Sequence, residues 1–234
     1  MTAPVTGSTV SVAQQDWEAW AKENARKLAI GAGLVAAIVG GSWLYVVSSQ
    51  RKEAFASQAL TNARSSAESG NLPLAARDLA GVVQRFGGTR AADEAFILLN
   101  QIRLLQGQRD GAVAALQEFV GARHPDYMKA SAYGLLGGGL EDENKPREAG
   151  EAYRQAAAAA PLDFLKAQYL IDAGRALAVA GDTAGARTAL AEVLEKYAEL
   201  DQAAEARVRM AEIGGTVPPP PKTGRGRGQR PRAG

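Results

Sequence analysis

Residues 133–161 read YGLLGGGLEDENKPREAGEAYRQAAAAAP, and their spacing predicts two helices joined by a turn. Tyr133, Leu136 and Leu140 fall three and four residues apart, the recurrence of a single helical face. Asn144 stands at the turn. Tyr153 and Ala156 mark the face of a second helix, which Pro161 closes. Gly137 and Ala149 are small enough to let the two helices cross closely.

The same layout recurs with a period of 37 residues. Setting Ala75, Ala112, Ala149 and Ala186 in register aligns Gly70, Gly107, Asn144 and Gly181 five residues earlier. It also aligns Leu79, Leu116, Tyr153 and Leu190 four residues later, and Val82, Phe119, Ala156 and Val193 seven later. Alanine makes up about a fifth of the chain, so the other columns carry the repeat. Periods of about 20–50 residues signify stacked units that bury a core only against their neighbours. The expectation is an all-α solenoid over residues 53–213, with about four helix pairs and a terminal capping helix at 201–213 (DQAAEARVRMAEI). In its small, aromatic and proline positions the third unit resembles the tetratricopeptide repeat. The fourth keeps the small pair Gly174 and Ala186 without the proline, and the first two carry Asn100 and Arg103 where that repeat usually has a glycine and an apolar residue. The residues beyond the standard length of about 34 fall between units, around 87–89, 123–126 and 161–163.

Upstream, LAIGAGLVAAIVGGSWLYVV (28–47) holds twenty residues without a charge, bounded by Lys27 on one side and Arg51 and Lys52 on the other. At about 1.5 Å per residue such a helix reaches roughly 30 Å, the thickness of a bilayer's hydrocarbon core. A transmembrane helix is expected over 28–50. Ala54-Phe55-Ala56 has the form of a signal-peptide cleavage site, but signal cores run about 7–15 residues, and Arg51 and Lys52 intervene, so an uncleaved anchor is expected. Ala29, Gly33, Ala37 and Gly41 recur along one ridge, a pattern that lets another membrane protein or a second copy pack closely. Residues 13–27 read as an amphipathic juxtamembrane helix with Trp17 and Trp20 as interface anchors, and residues 1–12 as a disordered N-terminus. Lys22, Arg26 and Lys27 before the span balance Arg51, Lys52 and Arg64 after it, so charge alone gives no orientation.

Composition narrows the chemistry. The chain has no cysteine and a single histidine, His124, which removes thiolate and multi-histidine metal sites and leaves most catalytic triads without a base. Glu141, Asp142 and Glu143 read as a solvated turn, and Gly137-Gly138-Gly139 lacks the strand and the Lys-Ser/Thr of a phosphate loop. His124, beside Pro125, reads as a surface or packing residue. Neither an enzyme nor a cofactor is expected. The net charge of +2 combines a −5 segment (53–215), the two basic residues Arg51 and Lys52, and five basic residues in 216–234, a disordered Pro/Arg/Gly-rich tail. Nucleic acid is therefore not an expected partner of the folded part, whatever anion the tail meets.

What remains is a surface. The repeat register places Leu60, Ile97, Ile171 and Val208 at one groove position and Arg64, Gln101 and Arg175 at another, a lining suited to an extended or helical peptide with apolar anchors. The same register leaves open that several of these aliphatics are interface core.

The order of parts, WEAWAKENARKLAIGAG (17–33) running into a single span and then an alanine-rich repeat domain, resembles the ancillary SecYEG translocon subunit family of bacterial inner-membrane proteins. The similar part covers roughly residues 14–213, and the proline and RG-rich tail departs from the pattern. The resemblance implies an N-in, C-out protein of the inner membrane with a periplasmic domain. Its implied partners are translocon components, periplasmic chaperones or secreted clients, and membrane lipid. The alternative expectation is a cytoplasmic repeat domain that assists assembly of a membrane complex, with the tail on RNA or another anion.

Overall fold

The computed structural model describes residues 20–219, and among these every regular element is helical. Trp17, the expected disordered N-terminus 1–12 and most of the basic tail (220–234) lie outside the described residues. The helices are α1 (Ala25–Glu68), α2 (Leu72–Phe86), α3 (Arg90–Leu105), α4 (Arg109–Gly121), α5 (Asp126–Asp142), α6 (Pro146–Ala159), α7 (Asp163–Val179), α8 (Thr183–Lys196) and α9 (Gln202–Glu212). The chain divides into two units between Phe55 and Ala56, a division that falls within α1.

The first unit holds the apolar part of α1. One 18-residue window of this helix is apolar enough to cross a membrane, and none of it is buried. Leu34, Ile38, Val39, Trp43 and Leu44 each stand more than half exposed, as do Trp20 and Phe55. Residues 20–23 are helical, and Asn24 is a turn whose side chain donates to the Trp20 carbonyl, 3.0 Å away. The ridge residues Ala29, Gly33, Ala37 and Gly41 are all exposed, and a Cβ at Gly33 or Gly41 would meet no atom within 4 Å. The expected boundary between span and repeats at 50–53 is not a break. Residues 48–56, SSQRKEAFA, contain no glycine or proline, and α1 continues through them to Glu68.

In the second unit the 37-residue column that ends in Gly181 is the device that reverses the chain. Gly70, Gly107 and Gly181 have φ of 81°, 75° and 78°, and Asn144, in the same column, has φ of 59°. Each is the left-handed residue that ends an odd-numbered helix. At Gly107 its N–H donates to the Leu104 carbonyl (3.0 Å) and the next N–H, of Gln108, to Arg103 (2.8 Å), so the last open carbonyls of α3 are capped. The pairs at 70–71, 144–145 and 181–182 repeat this pattern, and Gly214 and Gly215 repeat it after α9. Residues 71, 108, 145 and 182 then open the even-numbered helices. Their carbonyls accept the N–H of Ala75, Ala112, Ala149 and Ala186 at 3.0–3.2 Å.

That geometry explains the alanine column. All four alanines have 0% exposure, as expected for small side chains at the start of a returning helix. One turn on, Leu79, Leu116, Tyr153 and Leu190 are buried, and so are Val82, Phe119, Ala156 and Val193. Covering a leucine from water in this way contributes about 2 kcal/mol. Close approach sets the small positions opposite: a Cβ on Gly137 would stand 2.6 Å from the Tyr153 ring, and one on Gly174 would stand 2.7 Å from Leu190. Between pairs, the loops 87–89, 122–125 and 160–162 hold the residues that the sequence assigns to inter-unit length. At the first, Thr89 caps α3 by accepting from the Ala92 N–H at 3.1 Å while donating to the Phe86 carbonyl at 2.8 Å.

The buried side chains fall into two clusters. One joins Ala56, Leu60 and Ala63 of α1 to α2 and α3, and the other runs from Val113 of α4 to Met210 of α9. Asn100, fully buried at the glycine position of its unit, donates to the Phe96 carbonyl (2.9 Å) and accepts from Arg103 (3.2 Å). The two residues that depart from the repeat pattern therefore satisfy one another.

A Cβ added at Gly181 or Gly111 meets no atom within 4 Å, so conformation alone separates them. Gly181→Ala should lower unfolding free energy by about 1 kcal/mol, because it forces a side chain into the left-handed region. Gly111→Ala, within α4, should raise it by about 0.5–1 kcal/mol. Denaturant titration of the detergent-solubilised chain followed by circular dichroism reads both, and like signs would contradict the assignment of residue 181 as the reversal point.

Candidate functional site

Three odd-numbered helices of the second unit share one hollow. Arg64 from α1, Glu94, Ile97, Leu98 and Gln101 from α3, and Tyr127, Met128 and Ser131 from α5 line a cavity of about 360 Å³. Residues 64 and 101 are one repeat apart, as are 94 and 131, so the same strip of successive helices faces the cavity. Ile97, Leu98 and the buried Met128 supply the apolar part.

The mouth is charged. Arg64 donates through Nη2 to Glu94 Oε2 at 2.7 Å, and Arg90 donates through Nε to Glu94 Oε1 at 3.1 Å. The Arg90 guanidinium lies 5.8 Å from the centre of the Tyr127 ring, within reach of a cation–π attraction. Glu94 is thus bracketed by two guanidinium groups, and the three side chains carry a net charge of +1. Ser131 donates to the Tyr127 carbonyl at 3.3 Å.

Of the seven predicted groove residues, this cavity brings together Arg64, Ile97 and Gln101. Leu60 and Ile171 are corrected: they are 3% and 1% exposed and belong to the hydrophobic core, covered by neighbouring helices. Val208 is 59% exposed on α9, away from the cavity lining. Arg175 borders a smaller hollow of about 150 Å³ with Val179, Arg209 and Glu212, but its charge is already engaged.

Arg175 ties α7 to α5. Its two terminal nitrogens reach the two oxygens of Glu141 at 2.6 and 3.0 Å, a bidentate contact, and Nη2 lies 3.6 Å from Asp172. Tyr153 of α6 donates its hydroxyl to the same Glu141 at 2.9 Å. The sequence reading of Glu141–Glu143 as a solvated run is therefore wrong for two of the three. The side chains of Glu141 and Glu143 are 22% and 13% exposed, and Asp142 alone is half exposed. The hydrogen bond that Arg175 donates to Glu141 raises the Arg175 pKa further. Burial, then the Glu141 carboxylate, hold the Tyr153 hydroxyl protonated far above its ordinary range. Burial also raises Asp172, with Arg175 opposing. The signal for this network was the 34-residue separation of Glu141 and Arg175, which brings the end of α5 beside α7.

His124 packs rather than presents a free imidazole. Its ring stacks on Phe119 at 3.7 Å between centroids, Phe119 stacks on Phe96 at 4.6 Å, and Nδ1 lies 3.1 Å from Asp93. Among the described residues no group of three His, Asp or Glu side chains is placed to hold a metal ion. The cavity's side chains can bind: they offer apolar contact, guanidinium and amide donors, and a carboxamide acceptor. No protein-family model matches the chain, and no curated protein matches it either.

The Tyr153 network gives a pH test. Its folded-state pKa is raised above the ordinary 10.0, so its contribution is whole below pH 10 and is lost as pH rises beyond. Tyr153→Phe should cost about 1 kcal/mol at neutral pH, and should lessen the fall in stability between pH 10 and about 12. Equal alkaline slopes for parent and variant in denaturant titrations would show that the hydroxyl does not feel Glu141.

Proposed function

We propose that this chain is a single-span membrane protein whose second unit is a tetratricopeptide-like solenoid acting as a protein-binding scaffold. In this reading it serves as an ancillary factor of the Sec translocon or of the periplasmic chaperone network, with its repeat domain on the periplasmic side. The observation that carries the binding role is the cavity lined by one strip of three successive odd-numbered helices, with both apolar and polar side chains. Such a surface takes an extended or helical segment by its side chains while the stacked helices stay fixed.

Support for the anchor comes from α1. Trp43, Leu44 and Ile38 are more than 60% exposed in a helix that packs nothing against them, an arrangement that water penalises and lipid does not. Support for the compartment comes from the order of Trp20, the charged flank to Lys27, the apolar run and the repeats, the features that resemble the translocon-associated family. The ridge Ala29, Gly33, Ala37 and Gly41 is the surface on which a membrane partner or a second copy would pack.

Two measurements test this in sequence. Alkaline phosphatase fused after residue 219 should be active and a fluorescent protein sensitive to export should be dark. The opposite pattern places the repeats in the cytoplasm and supports the assembly-factor role instead. A photo-crosslinking residue at Gln101 should then capture secreted or chaperone proteins, and one at Gly33 should capture translocon subunits. Capture by Gly33 of unrelated membrane complexes alone would overturn the translocon assignment.

A further inference from the structure

Resting on that reading of the cavity, we infer that its occupant is a peptide carrying a bulky apolar side chain beside an acidic one. The apolar part of the argument is volume and lining. About 360 Å³ exceeds one large side chain, and Ile97, Leu98 and Met128 offer it aliphatic and thioether contact, while Tyr127 adds an aromatic one.

The acidic part is the charge balance. Glu94 is the one acid lining the cavity, and both its oxygens are already engaged, Oε2 by Arg64 and Oε1 by Arg90. Two guanidinium groups already outweigh its single negative charge, so a cationic ligand approaching it would meet net repulsion. A guanidinium has five N–H donors in a fixed fork, and the contact with Glu94 occupies Arg64 through Nη2 while the side chain remains 48% exposed. A ligand carboxylate can join Arg64 from the open side without displacing Glu94, so that each acid shares the same cation. A lysine or arginine in that place would face Arg64 and Arg90 with no unpaired acceptor among the lining side chains except the Gln101 carboxamide and the hydroxyls. The chain's own tail, basic at Lys222, Arg225, Arg227, Arg230 and Arg232, is accordingly the wrong sign for this cavity.

The occupant is an internal segment. The lining holds one arginine, and Arg90 beside it is held on Glu94 and over the Tyr127 ring, so an aspartate beside a phenylalanine or leucine, which meets Arg64 and the apolar lining together, fits better than a chain-terminal carboxylate that needs a two-cation clamp.

The test uses the detergent-solubilised full chain and short fluorescein-labelled Gly/Ser peptides with amidated ends, read by fluorescence anisotropy. The Phe-Asp peptide should bind about tenfold or more tightly than Phe-Lys, and Ala-Asp should lose affinity by a similar factor. Arg64→Ala should remove the preference for Asp over Lys while retaining the preference for Phe over Ala, and Arg64→Lys should restore part of it. Ile97→Ala should do the reverse, weakening every Phe peptide and keeping the charge preference. Equal binding of Phe-Asp and Phe-Lys overturns the inference and leaves the peptide-binding reading standing. Binding of no peptide, with circular dichroism unchanged, overturns both.

Discussion

The second unit depends on a backbone constraint at four positions 37 residues apart. After each odd-numbered helix the chain must turn back while leaving no buried carbonyl without a donor. A left-handed residue whose own N–H and whose successor's N–H both point at the preceding turn does both. Because the turn occupies the same register in every pair, the returning helix begins at a fixed place, and its fourth residue is an alanine in all four. The zero exposure of Ala75, Ala112, Ala149 and Ala186 follows from the turn, as does the contact of Tyr153 with Gly137 and of Leu190 with Gly174. Asn144 occupies the column without being glycine, which is consistent with asparagine's tolerance of the left-handed region.

That constraint is also why so much of the fold was legible. A turn that needs glycine or asparagine, followed at five residues by alanine and at nine by a large apolar side chain, leaves a pattern in any single repeat. Recurrence at Gly70, Gly107, Asn144 and Gly181 lifts the pattern above the alanine background. Helix ends were less legible. The α1 helix runs past Lys52 to Glu68 because nothing in that stretch stops it, and a change of solvent from lipid-like to repeat-like composition is not a change of backbone preference.

Side-chain exposure was the part the register could not assign. Leu60, Ile97, Ile171 and Val208 share one repeat position, yet Leu60 and Ile171 are buried, Ile97 is half-buried at the cavity and Val208 is open. What differs is the neighbour that covers each, and a neighbour's reach depends on residues a repeat or more away. Val208 sits on α9, where the described stack ends. Arg175 shows the same limit for charge. At the position of Arg64 and Gln101 it looks like a groove cation, but Glu141 accepts both ends of its guanidinium and Asp172 lies nearby, so it serves as a tie between α5 and α7.

The placement of the cavity follows from how the core is divided. Leu98 packs against the cluster built by α1, α2 and α3, whereas Ile97, the adjacent residue, packs against the cluster that begins in α4. Both line the hollow. The boundary where one apolar cluster gives way to the next is where side chains of successive helix pairs are least occupied by one another. The repeat position of Ile97 holds a large apolar residue at Leu60, Ile171 and Val208 as well, but Gly134 in the third repeat. In α3, Asn100 bonds within its own helix and Arg103 is drawn onto it, while Gln101 between them is exposed. The two departures from the repeat pattern in the second repeat thus flank the exposed amide of the cavity, and the irregularity and the cavity lining share one turn of α3.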